Sequence, residues 1–538
     1  MSRQLPRWIA GCLESGRLQL RRDSPAALWL RRTIRFLEEL PVPVEITLLV
    51  LVFTVAVVVR VQAITLVPGY IWSKDSMGYA MPAFQWLDSG EWVFDGRRGP
   101  IYSIFLGYGV RFFGGMYGVM VAQHVLALVG ILASATAARV WFGRTASWIL
   151  APCGAAFAIY GPPIHYAHLI RNETLLFFFA SIALAAWAIA IRQRSAVWLG
   201  ITGLAAGILT LIKGVFLPFP AFAILGAVGL HWPRWQITTR HAAIFLAAFL
   251  LPAALDLLHE RNSKVESPSR PQSGILFYGR TAQWTVLDAG IQPELKAQIR
   301  KMVEDYRRLP KLDNNVILKD TVVPRLEAIV ASQGGTPSDL NRLCRQLAIE
   351  AIQAHPHEFA AQVWKDTKEV LLDIAERRNF LEPGELLSGA KLLRAMPQPQ
   401  PVLDAERIAS ILEPRATKDH LSPLGRVGPW AWLFPSPPIL LSLIGVLLLL
   451  LIAPGEDRIF WLGLAGLLGF TIVLLSTVGR PINRYAVPIM PVLFWVNTGV
   501  LVHALRWVRG DQAATVGEWV WRHAKATWQS GLQHFRRA

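Results

Sequence analysis

A chain of 538 residues with 53% hydrophobic and 17% charged side chains, at a mean hydropathy of +0.37, is too apolar to be a string of soluble domains. The net charge of +17 does not point to nucleic acid, because residues 260–431 carry 24 Lys/Arg against 22 Asp/Glu; nearly all of the surplus sits in the tails and short loops, as in multi-pass membrane proteins. Cys12, Cys153 and Cys344 fall in a tail, an apolar run and a polar region, so neither a disulfide framework nor a metal cluster can be built from them.

Residues 1–43 form a basic tail with eight arginines. The first apolar run follows at 45–66, too late for the apolar region of a cleaved signal peptide, and reads as a retained span. Further runs of about twenty residues, the length that crosses a hydrocarbon core roughly 30 Å thick, lie at 117–140, 146–165, 174–191, 196–212, 214–230, 241–259, 433–453, 459–477 and 485–505. Backbone groups in lipid must be satisfied within their own segment, so each run is predicted to be a helix. Many of the 21 tryptophans lie near run ends, where interfacial anchoring places them.

Basic residues follow alternate runs: Arg139 and Arg144, Arg192 and Arg194, Arg234 and Arg240, Arg458, and Arg506 and Arg509. With these loops in the cytoplasm, ten spans leave both termini inside. The apolar stretch 100–115 would break this order if it crossed, so it is placed as a helix along the membrane surface, within an external loop 67–116. The predicted fold class is therefore an all-α polytopic membrane protein. Its parts are a seven-span module over 44–262, a mostly helical external segment over 263–431, three more spans over 432–507 and a basic tail over 508–538. In the external segment, Glu294–Arg308 and Arg342–Ile374 have amphipathic helical spacing, and Pro397–Pro401 marks a joint. The tail carries Val516, Val520, Trp528, Leu532 and Phe535 among arginines and lysines, and reads either as a basic helix on the inner leaflet or as a partly disordered end. No inverted repeat is visible, which disfavours a secondary transporter.

Under this topology, polar residues collect at the outer ends of the spans. The first loop carries Asp75, Tyr79, Ser89-Gly90-Glu91-Trp92 and Arg97-Arg98-Gly99-Pro100-Ile101-Tyr102. His165, His168, Arg171, Asn172 and Glu173 follow the third span, Lys213-Gly214 the fifth and Arg261-Asn262 the seventh. The last outer turn has Arg480, Arg484 and Tyr485. A few carboxylates facing fixed cations at a water–lipid boundary suit a phosphate-linked lipid donor. The cations hold the leaving phosphate while one Asp accepts a proton from the attacking group.

The order and spacing resemble the GT-C superfamily of membrane glycosyltransferases, and within it the dolichyl-phosphate-mannose protein mannosyltransferases and the bacterial lipid A aminoarabinose transferases. That family opens its first external loop with an Asp and has Tyr four positions later, then a small-Gly-acidic-Trp turn and a Pro-aliphatic-Tyr stretch. Asp75, Tyr79, Ser89–Trp92 and Pro100–Tyr102 match. Glu173 resembles its acidic position after the third span, Lys213-Gly214 its Lys-Gly, and Arg484, Tyr485 and Pro488 its final Arg-Tyr-x-x-Pro. The likeness covers 45–262 well and 478–495 in part. Over 263–430 it is loose, resting on Ala354-His355-Pro356 within a helix.

The resemblance implies a sugar transferred with inversion from a polyprenyl-phosphate donor to a lipid, glycan or protein acceptor, on the periplasmic face of a bacterial inner membrane. Asp75 would be the base, with Glu173 and Tyr79 beside it. Lys213, Arg484 and Arg97 or Arg98 would engage the phosphate, and Tyr102, His168, Arg171, Arg261, Arg480 and Tyr485 would complete the substrate contacts. Two departures stand out. Many relatives have a second acid directly after the Asp, here Ser76. Some place a Glu just before the Pro, where it helps to hold a divalent metal; here the positions are Arg98 and Gly99, which leaves metal dependence open.

Plainer readings stand beside these. Asp75 sits where a helix N-cap would, Glu173 can neutralise Arg171, and Lys213 can snorkel to the interface. Arg60 lies inside the first span, and snorkelling is its simplest explanation. His165 and His168 lack a third ligand and read as interfacial hydrogen-bonders rather than a metal site. The altered acidic positions also admit a non-catalytic glycolipid flippase or assembly subunit built on the same scaffold.

Overall fold

The computed structural model describes residues 41–67, 69–71, 76–94, 99–143, 161–213, 235–262, 273–281, 323–372, 439–452, 455–478 and 490–509, with isolated positions between them. In chain order its helices are α1 (Val42–Leu66), α2 (Ser76–Ser89), α3 (Pro100–Phe113), α4 (Met116–Phe142), α5 (Gly161–His168), α6 (Glu173–Gln193), α7 (Ala196–Ile212) and α8 (Trp235–Asn262). There follow α9 (Ser273–Thr281), α10 (Val323–Ser332), α11 (Pro337–Ala354), α12 (Pro356–Leu372), α13 (Ile439–Ile452), α14 (Gly455–Val478) and α15 (Met490–Arg509). Among the described residues the one extended pairing is a parallel bridge between Ile71 and Leu169. The chain is an all-α protein of polytopic membrane type.

Four helices are long and apolar enough to cross a membrane, by length and composition: α1, α4, α6 and the Thr239–Leu257 part of α8. They differ in what they face. In α6, 83% of the apolar window is buried against other helices, whereas in α1 the share is 11%, leaving Val50, Leu51, Val58 and Val61 exposed. With no hydrophobic drive between helices in lipid, close packing must come from small residues. Gly130 of α4 accordingly lies against Ser181 and Phe177 of α6. Gly203 and Gly207 of α7 face the carbonyls of Phe245 and Phe249 in α8 so closely that a Cβ would overlap them.

Those two contacts advance together along both helices, so α7 and α8 run in the same direction. Between them in sequence, Phe219 and Ala223 are helical and buried in the core. Two ion pairs define one end of the bundle. Arg139, at the end of α4, donates to Glu45, at the start of α1 (2.5 Å), and Arg192, at the end of α6, meets Asp457, at the start of α14 (3.6 Å). Arg139, Arg192, Arg194 and Arg458 thus gather at this end, as alternation of the basic loops predicts. An aromatic core of Trp141, Trp187, Phe460, Trp461 and Trp495 joins α4, α6, α14 and α15 nearby.

At the opposite end α2 and α3 form a hairpin. At 1.5 Å per residue the 14 residues of α3 span about 21 Å, short of the roughly 30 Å needed to cross. Gly107 leaves room on α3 for the stacked Trp86–Trp92 pair (centroids 4.8 Å apart), and Arg111 lies 5.7 Å over the Trp86 ring. Phe112 and Phe113 are exposed, four and three residues before α4 begins.

Between α8 and α13, α9, α10 and α11 share a small core of Tyr278, Leu326, Cys344 and Leu347, and α12 lies against α13 and α14. The stretch expected to run helically through Arg342–Ile374 is instead two helices. α11 ends at Ala354, His355 leaves the helical region (φ −129°, ψ 55°), and α12 restarts at Pro356. Proline has no N–H to donate into the helix and disfavours helical geometry in the residue before it. Ala354-His355-Pro356 is therefore a joint and not helix interior. The predicted spans 146–165 and 214–230, helix Glu294–Arg308, joint Pro397–Pro401 and both tails lie wholly or largely outside the described residues.

If the two ends face opposite sides of the bilayer, a thiol-free chain carrying Gln193→Cys is expected to react with an impermeant maleimide from the side opposite to one carrying Glu91→Cys. Labelling of both from the same side of sealed vesicles would contradict the topology.

Candidate functional site

The site is built around the broken end of α5. The last carbonyls of a helix have no partner within it, and here they are buried. Gln123 of α4 supplies two: its Nε2 donates to Ala167 O and to Leu169 O, each at 3.0 Å. Ile71 supplies the third, its amide donating to His168 O at 2.7 Å, while Ile170 N–H donates back to Ile71 O at 3.1 Å. This exchange is the Ile71–Leu169 bridge, and it seats the chain leaving α1 beside the chain entering α6. A buried carbonyl left without a donor would cost roughly 1–3 kcal/mol.

Gln123 also reaches outward. Its Oε1 accepts from the Tyr102 hydroxyl at 2.9 Å, which fills three of the amide's four hydrogen-bonding positions and fixes α3 to α4. The Tyr102 ring meets Tyr79 of α2 edge-on, with centroids 5.0 Å apart. Burial, then the nearby Glu173 carboxylate and Tyr79, hold the Tyr102 phenol well above its ordinary ionisation range, while the backbone and charge of Arg171 oppose them. Tyr79, Tyr102, Arg171 and Glu173, expected together from sequence, are therefore neighbours. One residue along α4, His124 Nε2 lies 2.8 Å from His168 Nδ1, so the predicted His168 is fully enclosed and paired with another ring.

Glu173 opens α6, where the positive end of the helix dipole favours a carboxylate. It is buried, and its Oε2 has no hydrogen-bond partner among the described residues. Beside it, Asn172 Nδ2 donates to Ile212 O at 3.4 Å, which brings the start of α6 to the end of α7. Lys213 follows with extended backbone (φ −157°, ψ 109°) and a half-buried side chain.

The first loop closes onto the same place. Gly99 precedes α3 with an ordinary extended backbone (φ −60°, ψ 145°), so its small size and not its torsional freedom is what matters. A Cβ at this position would overlap the Leu211 carbonyl oxygen. The position where some relatives carry a metal-holding Glu thus has no room for any side chain. Ser76, where many relatives carry a second acid, is fully buried at the start of α2. Among the described residues no group of three or more His, Cys, Asp or Glu could hold a metal ion.

Asp75, Arg97, Arg98, Arg480, Arg484 and Tyr485 lie outside the described residues, as does the side chain of Arg261 at the end of α8. Asp75 is nevertheless one peptide bond from Ser76, and Arg98 one from Gly99. Sequence reasoning missed Gln123 and His124. Each is a single polar residue in a long apolar run, and the signal that could have found them is the expense of an unexplained polar group at that depth.

No family model matches the chain, and no curated protein matches it in sequence. Among solved structures it is similar to ArnT from Cupriavidus metallidurans bound to undecaprenyl phosphate, at 18% identity over 80% of this chain and 77% of that one, with a TM-score of 0.35. It is also similar to the archaeal oligosaccharyltransferase AglB from Archaeoglobus fulgidus, in complex with an inhibitory peptide and a dolichol-phosphate. There the identity is 11% over 84% of this chain and 50% of that one, with a TM-score of 0.41. Both belong to the GT-C superfamily.

Replacing Gly99 by Ala forces a methyl group against backbone that cannot rotate away. Overpacking of this kind costs typically about 1–3 kcal/mol. A lowered apparent Tm in detergent is expected for Gly99→Ala, and an unchanged melting curve would show that α3 does not seat against α7 as described.

Proposed function

We propose that the chain is a glycosyltransferase that moves a sugar from a polyprenyl-phosphate donor to an acceptor at the outer face of a bacterial inner membrane. The observation that supports this best is the convergence at one bundle end of four segments far apart in sequence. These are the chain following α1, the start of α3, the Arg171–Glu173 entry to α6 and the exit of α7 at Lys213. The segments carry, or directly adjoin, the residues matching the GT-C pattern.

In this reading Asp75 accepts the proton of the acceptor hydroxyl or amine as that group attacks the sugar's anomeric carbon. The new bond forms on the face opposite the phosphate, the bond from carbon to phosphate oxygen breaks, and the sugar configuration inverts. The phosphate leaves on its lipid with its charge met by Lys213, Arg484 and Arg97 or Arg98, cations preset where negative charge develops. The unpartnered Oε2 of Glu173 accepts from a sugar or acceptor hydroxyl. Tyr102 and His168, enclosed and bonded within the protein, support these groups from behind. Arg97 and Arg98 supply fixed charge near the position where some relatives hold a cation. Lipid, glycan and protein acceptors all meet the requirement of a deprotonatable nucleophile.

Purified chain in lipid, given a panel of polyprenyl-phosphate sugars and acceptors, is expected to release free polyprenyl phosphate, followed by mass spectrometry. Asp75→Asn is expected to slow release by at least about 100-fold, the scale of a lost general base. If both forms bind carrier and neither consumes it across the panel, the flippase or assembly reading motivated by Ser76 and Arg98 takes its place.

A further inference from the structure

We propose that Gln123, a residue that touches neither donor nor acceptor in the mechanism above, is the positioning residue that sets the catalytic loop against the bundle. The inference rests on the transferase reading and adds to it a residue that the family pattern does not supply. Gln123 is fully buried as the eighth residue of α4. All three of its hydrogen bonds go to different pieces of the site: two to the carbonyls of Ala167 and Leu169, and one from the Tyr102 hydroxyl. The carbonyl between those two, on His168, takes the Ile71 amide, and Ile71 is four residues before Asp75. Tyr102 is two residues after Pro100, whose neighbour Gly99 abuts the Leu211 carbonyl beside Lys213. One amide therefore couples the segment leading to the base to the segments leading to the phosphate-binding cations.

His124 reinforces the same clamp from the next position through His168. The two neighbours do different work. The histidine pair holds one ring to another, whereas Gln123 alone spans α3, α4 and the strand-like pairing. Loss of the amide leaves the cations and the base intact as chemical groups and releases the relation between them. Such a change slows the chemical step more than it weakens donor binding, since a misplacement of about 1 Å can cost on the order of 100-fold in rate.

The test uses the full chain in lipid nanodiscs with two variants. Gln123→Met keeps volume and removes all three bonds; Tyr102→Phe removes one bond and adds no volume. Hydrogen–deuterium exchange is expected to rise roughly tenfold in peptides covering 69–71 and 166–171 of Gln123→Met, with peptides of α7 and α8 unchanged. With the polyprenyl-phosphate sugar that wild type consumes, kcat is expected to fall about 10- to 100-fold while KM for the donor stays within about threefold. The double variant is expected to be no slower than Gln123→Met alone, because both substitutions break one connection. Unchanged exchange overturns the clamp whatever the assay reads. Raised exchange with unchanged kcat, or a change confined to KM, overturns the positioning role. A wild type that consumes no donor sinks the transferase reading and the catalytic role with it, while exchange still decides whether the clamp exists. Should Gln123→Met fail to fold, Tyr102→Phe carries the same two readouts.

Discussion

A helix that ends inside a membrane protein leaves carbonyls that neither water nor lipid can satisfy, and one end of this bundle is organised around one such ending. The carbonyls of residues 167, 168 and 169 are taken up by Gln123, Ile71 and Gln123 in turn. Every other feature of the site is placed relative to that capping. It fixes where the chain from α1 crosses to α2, where α6 begins with Glu173, and, through Tyr102, where α3 lies. In lipid the requirement that each backbone group be paired is strict. Here it doubles as the means of holding irregular chain beside Arg171, Asn172 and Glu173.

The rest of the architecture is anchored at the other end. The opposite end is closed by the Glu45–Arg139 and Arg192–Asp457 pairs and by the tryptophan-rich core joining the N-terminal module to the last helices. Glycines then allow backbone to meet backbone where side chains would hold it off. Gly203 and Gly207 seat α7 on α8, and Gly99 seats α3 on the end of α7. The last of these brings the start of α3 to the end of α7, next to Lys213, and leaves the Gly99 position too crowded for a side chain.

Much of this was legible in the sequence because hydropathy and charge asymmetry are averaged over many residues and survive local error. The helices at 42–66, 116–142, 173–193 and 196–212 lie within a few residues of the predicted runs. The stretch 100–115, kept out of the span count because it would break the alternation of basic loops, is helical over α3, whose 14 residues are too few to cross. What escaped were single residues whose meaning depends on what lies across from them. Gln123 and His124 disappear into a window average, and Gly99 looks like an ordinary residue before a proline until the Leu211 carbonyl is found against it. The joint at His355 escaped for a different reason. The apolar spacing on either side stays in phase, and Pro356 should have outweighed it, just as the Thr336-Pro-Ser-Asp339 capping box should have marked the start of α11. Among the candidate residues, Tyr79, Tyr102, Arg171 and Glu173 lie together in the structure. Sequence did not reveal that Tyr102 and His168 are enclosed.

The claim on which the account turns is that the polar end of the bundle, and no other part of it, receives the phosphate of a polyprenyl carrier. An electron-cryomicroscopy map of the chain in nanodiscs with polyprenyl phosphate tests this most directly. The account predicts phosphate density within about 3 Å of the Lys213 ammonium, beside the start of α3 and the N-terminus of α6. Ordered phosphate at the end marked by Arg139 and Arg192, or between α13 and α15, would contradict it.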